Sequence, residues 1–140
     1  MTKEEKARRI VDAMFNNDPM SRWLGIIRLT DAPGNSVLQM EVREEMLNGF
    51  DIAHGGITYS LSDSALAFAS NSHGRKCVSV ETSISHIKAV REGDVLTTYV
   101  EEKSLTTKIG IYHIEVRNQS QETVALFKGT VYRTDKDWEI

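Results

Sequence analysis

The chain has 140 residues, 40% of them hydrophobic, and a formal net charge of −3. That length suits one domain spanning residues 1–140, and that apolar content argues against disorder. The acidic balance argues against broad nucleic-acid binding, which draws on a basic surface, but leaves room for an anionic ligand held by a few local Lys and Arg.

Cys77 is the single cysteine. An intrachain disulfide is therefore impossible, which points away from the secreted, disulfide-stapled class. The N-terminal stretch Met1–Lys6 is charged and has no apolar signal core. No run approaches the roughly 18 apolar residues that a membrane span needs. The expectation is a cytoplasmic protein with no membrane partner.

Thr2 to about Asn16 reads as a helix, with Thr2 and Glu5 spaced for a capping box. Ile10, Ala13 and Met14 give it an apolar stripe, and Asn16-Asn17-Asp18-Pro19 stops it. Strands follow near Ile26–Thr30 and Ser36–Arg43, with Asp31–Asn35 as the turn between them. In the second, Leu38, Met40 and Val42 alternate with Gln39, Glu41 and Arg43. A loop runs from Glu44 to His54.

Gly56 to about His73 reads as a second helix, in which Asp63 is the only charged residue between Gly55 and Ser72. Ile57, Leu61, Ala65 and Phe68 form one apolar face, and the other side still carries Tyr59, Leu66 and Ala67. A helix without a charged face is covered on most sides. The remainder reads as strands at Lys76–Ile87, Val95–Leu105, Ile109–Arg117 and Thr123–Arg133, with turns at Arg91–Asp94 and Asn118–Gln121. The amphipathic alternation predicts meandering antiparallel hairpins rather than βαβ units. The fold class is therefore α+β: a sheet of five or six strands wrapped around one central helix, plus an N-terminal helix.

The chemistry concentrates in Asn48-Gly49-Phe50-Asp51-Ile52-Ala53-His54-Gly55-Gly56 and Ser62-Asp63-Ser64. The two glycines sit where loop becomes helix, and glycine lets a ligand approach the backbone closely. The first helical N–H groups lack intrahelical partners and face negative charge favourably. A carbonyl placed there would be polarised as an oxyanion develops. Asp63 lies seven residues beyond Gly56, two helical turns or roughly 10 Å away. That is too far to act on the same carbonyl within one chain, so the spacing hints at a site shared across a dimer. Taken singly, each signal has a plainer reading: a solvated Asp, a Gly-Gly turn, a His bracing a loop. Their ordered combination before a charge-free helix is the stronger signal.

Other chemistries lack their motifs. There is no Gly-x-Ser-x-Gly elbow and no phosphate-binding Gly-x-x-x-x-Gly-Lys loop. His54, His73, His86 and His113 are too widely spaced for a metal cluster, so no metal ligands are assigned. Cys77, on a strand, reads as a packed thiol, and Trp23 and Trp138 as packing or interface residues.

The run Met46-Leu47-Asn48-Gly49…His54-Gly55-Gly56…Ser62-Asp63-Ser64-Ala65…Ala67 resembles the phenylacetate-degradation thioesterase branch of the hotdog superfamily. The similarity continues in Gly110–Val116 and Thr123–Gly129 and spans about Met14 to Arg133. The resemblance implies hydrolysis of acyl-coenzyme A, with small aromatic acyl groups such as hydroxylated phenylacetyl, or medium-chain groups, as substrates. It implies that Asp63 is the general base or nucleophile and that the Gly55 N–H polarises the carbonyl. It also implies that Asn48 positions substrate or water and that His54 supports the site, with Gly56 and Ser79 as further binding positions. No cofactor is implied, because coenzyme A is part of the substrate. The resemblance implies a homodimer with shared sites that pairs into a tetramer.

Lys88, Arg91 and Lys108, with Lys103, are candidates for the coenzyme A phosphates, and Phe50, Tyr59 and Phe68 for the acyl pocket, with core packing an equal alternative for the three rings. Two rivals are a hotdog dehydratase, working through a His–acid pair, and a non-catalytic acyl-CoA-binding or regulatory module.

Overall fold

The structure is a computed structural model that describes residues 1–140. Helix α1 covers Lys3–Asn16 and opens on the expected capping box: the Thr2 hydroxyl accepts from the Glu5 N–H and the Glu5 carboxylate accepts from the Thr2 N–H. Its buried face is Ala7, Ile10 and Val11, so the expected stripe is turned toward the helix N-terminus. Pro19, read from sequence as a stop, also starts a short helix α2, Pro19–Trp23. Asp18 caps it by accepting the Ser21 N–H at 2.9 Å. Proline is tolerated at that first position because its missing N–H would have no partner there.

Strands β1 (Ile27–Ala32) and β2 (Asn35–Glu41) form a hairpin whose turn shrinks to Pro33-Gly34. Gly34 has φ 73°, the left-handed conformation required after a proline in a type II turn. A short 3₁₀ turn at Glu44–Met46 leads into the loop before helix α3, Gly55–Asn71. Four strands follow: β3 (Arg75–His86), β4 (Val95–Leu105), β5 (Ile109–Arg117) and β6 (Thr123–Asp137).

All six strands join one antiparallel sheet in the order β1-β2-β4-β5-β6-β3. The expected meander holds for β4-β5-β6 but not for β3, which crosses to the far edge and pairs with β6. The reason lies in α3. That helix runs across the inner face of the sheet and delivers the chain to the opposite edge from β2. The arrangement is the expected α+β hotdog fold.

The core explains the composition of α3. Ile57, Leu61, Ala65 and Phe68 are buried against Leu38, Met40, Leu96, Ile114 and Val116, the inward residues of β2, β4 and β5. Gly129 on β6 permits the closest approach: a Cβ there would stand 2.4 Å from Leu66 Cδ2. Strand β3 differs from the rest. It is an edge strand, and Val78 and Val80 are 56% and 60% exposed. A long edge strand with bare apolar side chains is a template for pairing with another chain.

Candidate active site

Helix α3 begins where it does because His54 caps it. His54 has extended dihedrals, φ −56° and ψ 138°, and its Nδ1 accepts the Gly56 N–H at 3.1 Å. Gly56, a sequence candidate for binding, thus has its N–H occupied. The Gly55 N–H has no partner within the chain and is the free donor at the helix start. The preceding loop is fixed by its own backbone. The Asn48 N–H donates to the Ile52 carbonyl, and the Asn48 Oδ1 accepts the Phe50 N–H at 2.8 Å. Asn48 therefore shapes the loop with its side-chain oxygen, which leaves its amide nitrogen for other use.

Asn48, Gly55 and Lys88 line one cleft of about 310 Å³, together with Thr58 and His86. The Lys88 ammonium sits 2.6 Å from the Glu122 carboxylate, and both side chains are about half exposed. Sequence reasoning did not assign Thr58 or His86 to the site. The His86 ring packs on Gly55, with Nε2 3.0 Å from where a Gly55 Cβ would stand. Its Nδ1 is 3.3 Å from the Thr58 hydroxyl, which in turn donates to the Gly55 carbonyl. No local motif marks His86, because it reaches the helix from the last position of β3.

Asp63 lies elsewhere in the chain. It borders a smaller cavity of about 70 Å³ with Ser79 and Cys77 on β3. Asp63 is partly buried, and burial pushes its carboxyl above the usual carboxylate range; the like charge of Asp18 adds to the rise. It makes no hydrogen bond or ion pair that would offset this. An acid left buried and unpaired is a hallmark of functional positions. Asp18 is held by Ser21, whose hydroxyl donates to it at 2.6 Å and also contacts the Ser64 hydroxyl at 2.7 Å. The approach of Asp18 was invisible in the sequence, because helix α2 was not anticipated.

The Cys77 thiol is raised by burial, as expected of a packed cysteine rather than a nucleophile. Arg91 is exposed in the turn just beyond the first cleft. Lys108 stands at the other end of the sheet: its carbonyl accepts from Arg133, whereas the Lys88 N–H donates to Val124. Within one chain these two lysines cannot serve one ligand end. Lys103 pairs with Glu101. Of the aromatic candidates, Phe68 is fully buried against Phe15 and belongs to the core, the second of the two roles its sequence position allowed. Phe50 is 85% exposed, and Tyr59 bonds Thr82 through its hydroxyl and packs edge-on to Phe127.

The largest cavity, about 530 Å³, lies on the outer face of the sheet between Tyr99, Glu101, His113 and Lys128. It contains none of the candidate residues.

Residues 50–125 match the family described as the thioesterase superfamily. The acyl-coenzyme A thioesterase PaaI of Escherichia coli K12 is 38% identical over 128 residues, covering 91% of each chain. The solved structure of the Escherichia coli PaaI protein, from the phenylacetic acid degradation operon, superposes with a TM-score of 0.94 at 36% identity, covering 97% of this chain and 99% of that one. A Streptococcus mutans UA159 protein bound to acetyl-CoA superposes with a TM-score of 0.78 at 26% identity, covering 81% and 91%. Sequence and fold thus agree from the capped helix to the last strand, and the chain belongs to the thioesterase superfamily.

Proposed function

We propose that the protein hydrolyses acyl-CoA thioesters in sites built jointly by two protomers. The observation that carries this reading is the placement of the two half-sites at opposite ends of edge strand β3. The free Gly55 N–H lies beside His86, the last residue of β3, while Asp63 lies beside Cys77 and Ser79 near its start. Antiparallel pairing of two β3 edges about a twofold axis brings the start of one against the end of the other. Asp63 of one chain then approaches Gly55 of its mate. The exposed Val78 and Val80 support burial of this edge.

The chemistry follows from that geometry. The thioester oxygen accepts the Gly55 N–H and is stabilised as negative charge develops on it. Asp63 either takes a proton from water, which attacks the carbonyl carbon, or attacks that carbon itself to form an anhydride that water then cleaves. The carbon–sulfur bond breaks, and coenzyme A leaves as a thiolate, which requires no strong acid. The products are the free acid and coenzyme A. The spare Asn48 amide orients water or substrate, and His54 fixes the glycine backbone by capping.

Lys88, at the rim of the Gly55 cleft, is the best-placed cation for a coenzyme A phosphate, with Arg91 next to it. The relationship to PaaI favours arylacetyl groups, such as hydroxylated phenylacetyl, as the acyl class, with medium-chain groups as the alternative. The family resemblance favours a dimer of dimers, and the single cysteine suits a cytoplasmic setting. Thiol release measured across acyl-CoA thioesters of varied chain length and ring type tests this reading. Release from none of them, or conversion to an unsaturated thioester without thiol release, would refute it.

A further inference from the structure

We propose that His86 is a second hydrogen-bond donor to the thioester oxygen, active in its protonated form; this rests on the hydrolytic reading above. The argument starts from the Thr58 hydroxyl. It has one proton and gives it to the Gly55 carbonyl at 3.2 Å. With that proton so assigned, the 3.3 Å contact between Thr58 Oγ1 and His86 Nδ1 is made by a proton from the imidazole. Nδ1 therefore carries hydrogen in the neutral ring, and Nε2 is the position that gains or loses a proton.

Nε2 is also the atom nearest Gly55. It stands 3.0 Å from where a Cβ would be, and only a glycine leaves that space open to the ring. A Cβ and its own amide nitrogen are about 2.5 Å apart, which puts Nε2 within roughly 5.5 Å of the Gly55 nitrogen. Two hydrogen bonds of about 2.9 Å each can span that distance to one shared oxygen. Neutral His86 would present a lone pair to the oxyanion and oppose it. Protonated His86 presents an N–H and stabilises it. The proton stays on nitrogen throughout.

The charged and titratable groups around this ring are few. Lys88 shares the cleft and is paired with Glu122, and His54 sits at the helix cap. The neighbour of His86 on β6 is Ala125, and α3 presents Thr58. In the proposed dimer the partner's Asp63 completes the set.

The test is the pH dependence of kcat/KM for thiol release by the full-length protein and by H86F and H86Q. The phenyl ring keeps the flat contact with Gly55 and donates nothing, while the glutamine amide donates at every pH. Wild type is expected to lose activity on the alkaline side as Nε2 gives up its proton. H86F is expected to lack that limb and to fall about tenfold at low pH, less than the loss of a full oxyanion donor. H86Q is expected to recover activity with no alkaline limb. Should H86F keep both the wild-type rate and profile, the ring only packs and the inference is wrong. If H86F fails to fold, H86Q decides alone: an unchanged alkaline limb overturns the proposal. D63N, run in parallel, separates the two claims, because its retained activity would sink the hydrolytic mechanism whatever His86 does.

Discussion

His54 and Gly56 divide the work of the helix start: the imidazole Nδ1 accepts the Gly56 N–H at 3.1 Å, so the Gly55 N–H alone remains available. An N-cap contributes about 1 kcal/mol, and asparagine is among the best replacements for it. His54→Ala should therefore destabilise the protein by about that amount and reduce kcat, whereas His54→Asn should restore the unfolding midpoint. Denaturant titration of both variants checks this; equal stability of Ala and wild type would mean that the cap is not made.

The raised carboxyl of Asp63 is a statement about stability as well as catalysis. Its folded pKa lies above the unfolded value, through burial first and Asp18 second. The folded state then binds the proton more tightly. Stability is highest below the unfolded pKa and declines as pH rises through the folded one. Asp63→Asn should consequently raise Tm at neutral pH and match wild type in acid, while turnover falls about 10²–10⁴-fold. Thermal melts at both pH values, with thiol-release rates, test the pairing of lost activity with gained stability.

Asp18 offers a finer control on the same group. Asp18→Asn keeps a good N-cap for α2 but removes the like charge facing Asp63. The Asp63 carboxyl should then titrate lower, and the acid limb of the kcat/KM profile should move to lower pH with the plateau unchanged. A limb that stays in place would show that Asp18 does not act on the reacting carboxyl.

The close approach of α3 to the sheet depends on Gly129. An alanine there meets Leu66 at 2.4 Å, and overpacking of this kind costs about 1–3 kcal/mol. Gly129→Ala should lower stability within that range. Combining it with Leu66→Ala should cost less than the two changes added together, because the second makes room for the first. Urea unfolding of the two single variants and the double variant measures the coupling.

Much of this was legible in the sequence, for local reasons. The Thr2–Glu5 box, the alternation in β5 and the charge-free α3 are short-range patterns set by helix and strand periodicity. Strands β4 and β5 have the expected bounds. Helix α2 escaped notice because Pro19 punctuates in both directions. The edge position of β3 was missed because pairing partners are decided by where a helix crosses a sheet, not by the strand's own residues. Thr58 and His86 were missed for the same reason: they meet only across the α3–β3 contact. Phe68 kept two readings open, because an apolar ring on a helix looks the same to sequence whether it faces a ligand or the core.

The shared site can be tested by mixing two inactive chains. Gly55→Pro deletes the free N–H at a first-turn position whose backbone accepts proline, after a residue already extended as proline requires, and its Cβ displaces the His86 ring, whose Nε2 stands 3.0 Å from that position. Asp63→Asn deletes the acid. If each site draws Gly55 from one chain and Asp63 from the other, refolding an equimolar mixture gives hybrid dimers with one intact site, and about a quarter of wild-type activity returns. A mixture no more active than its two parents would place both groups in a single chain and contradict the account.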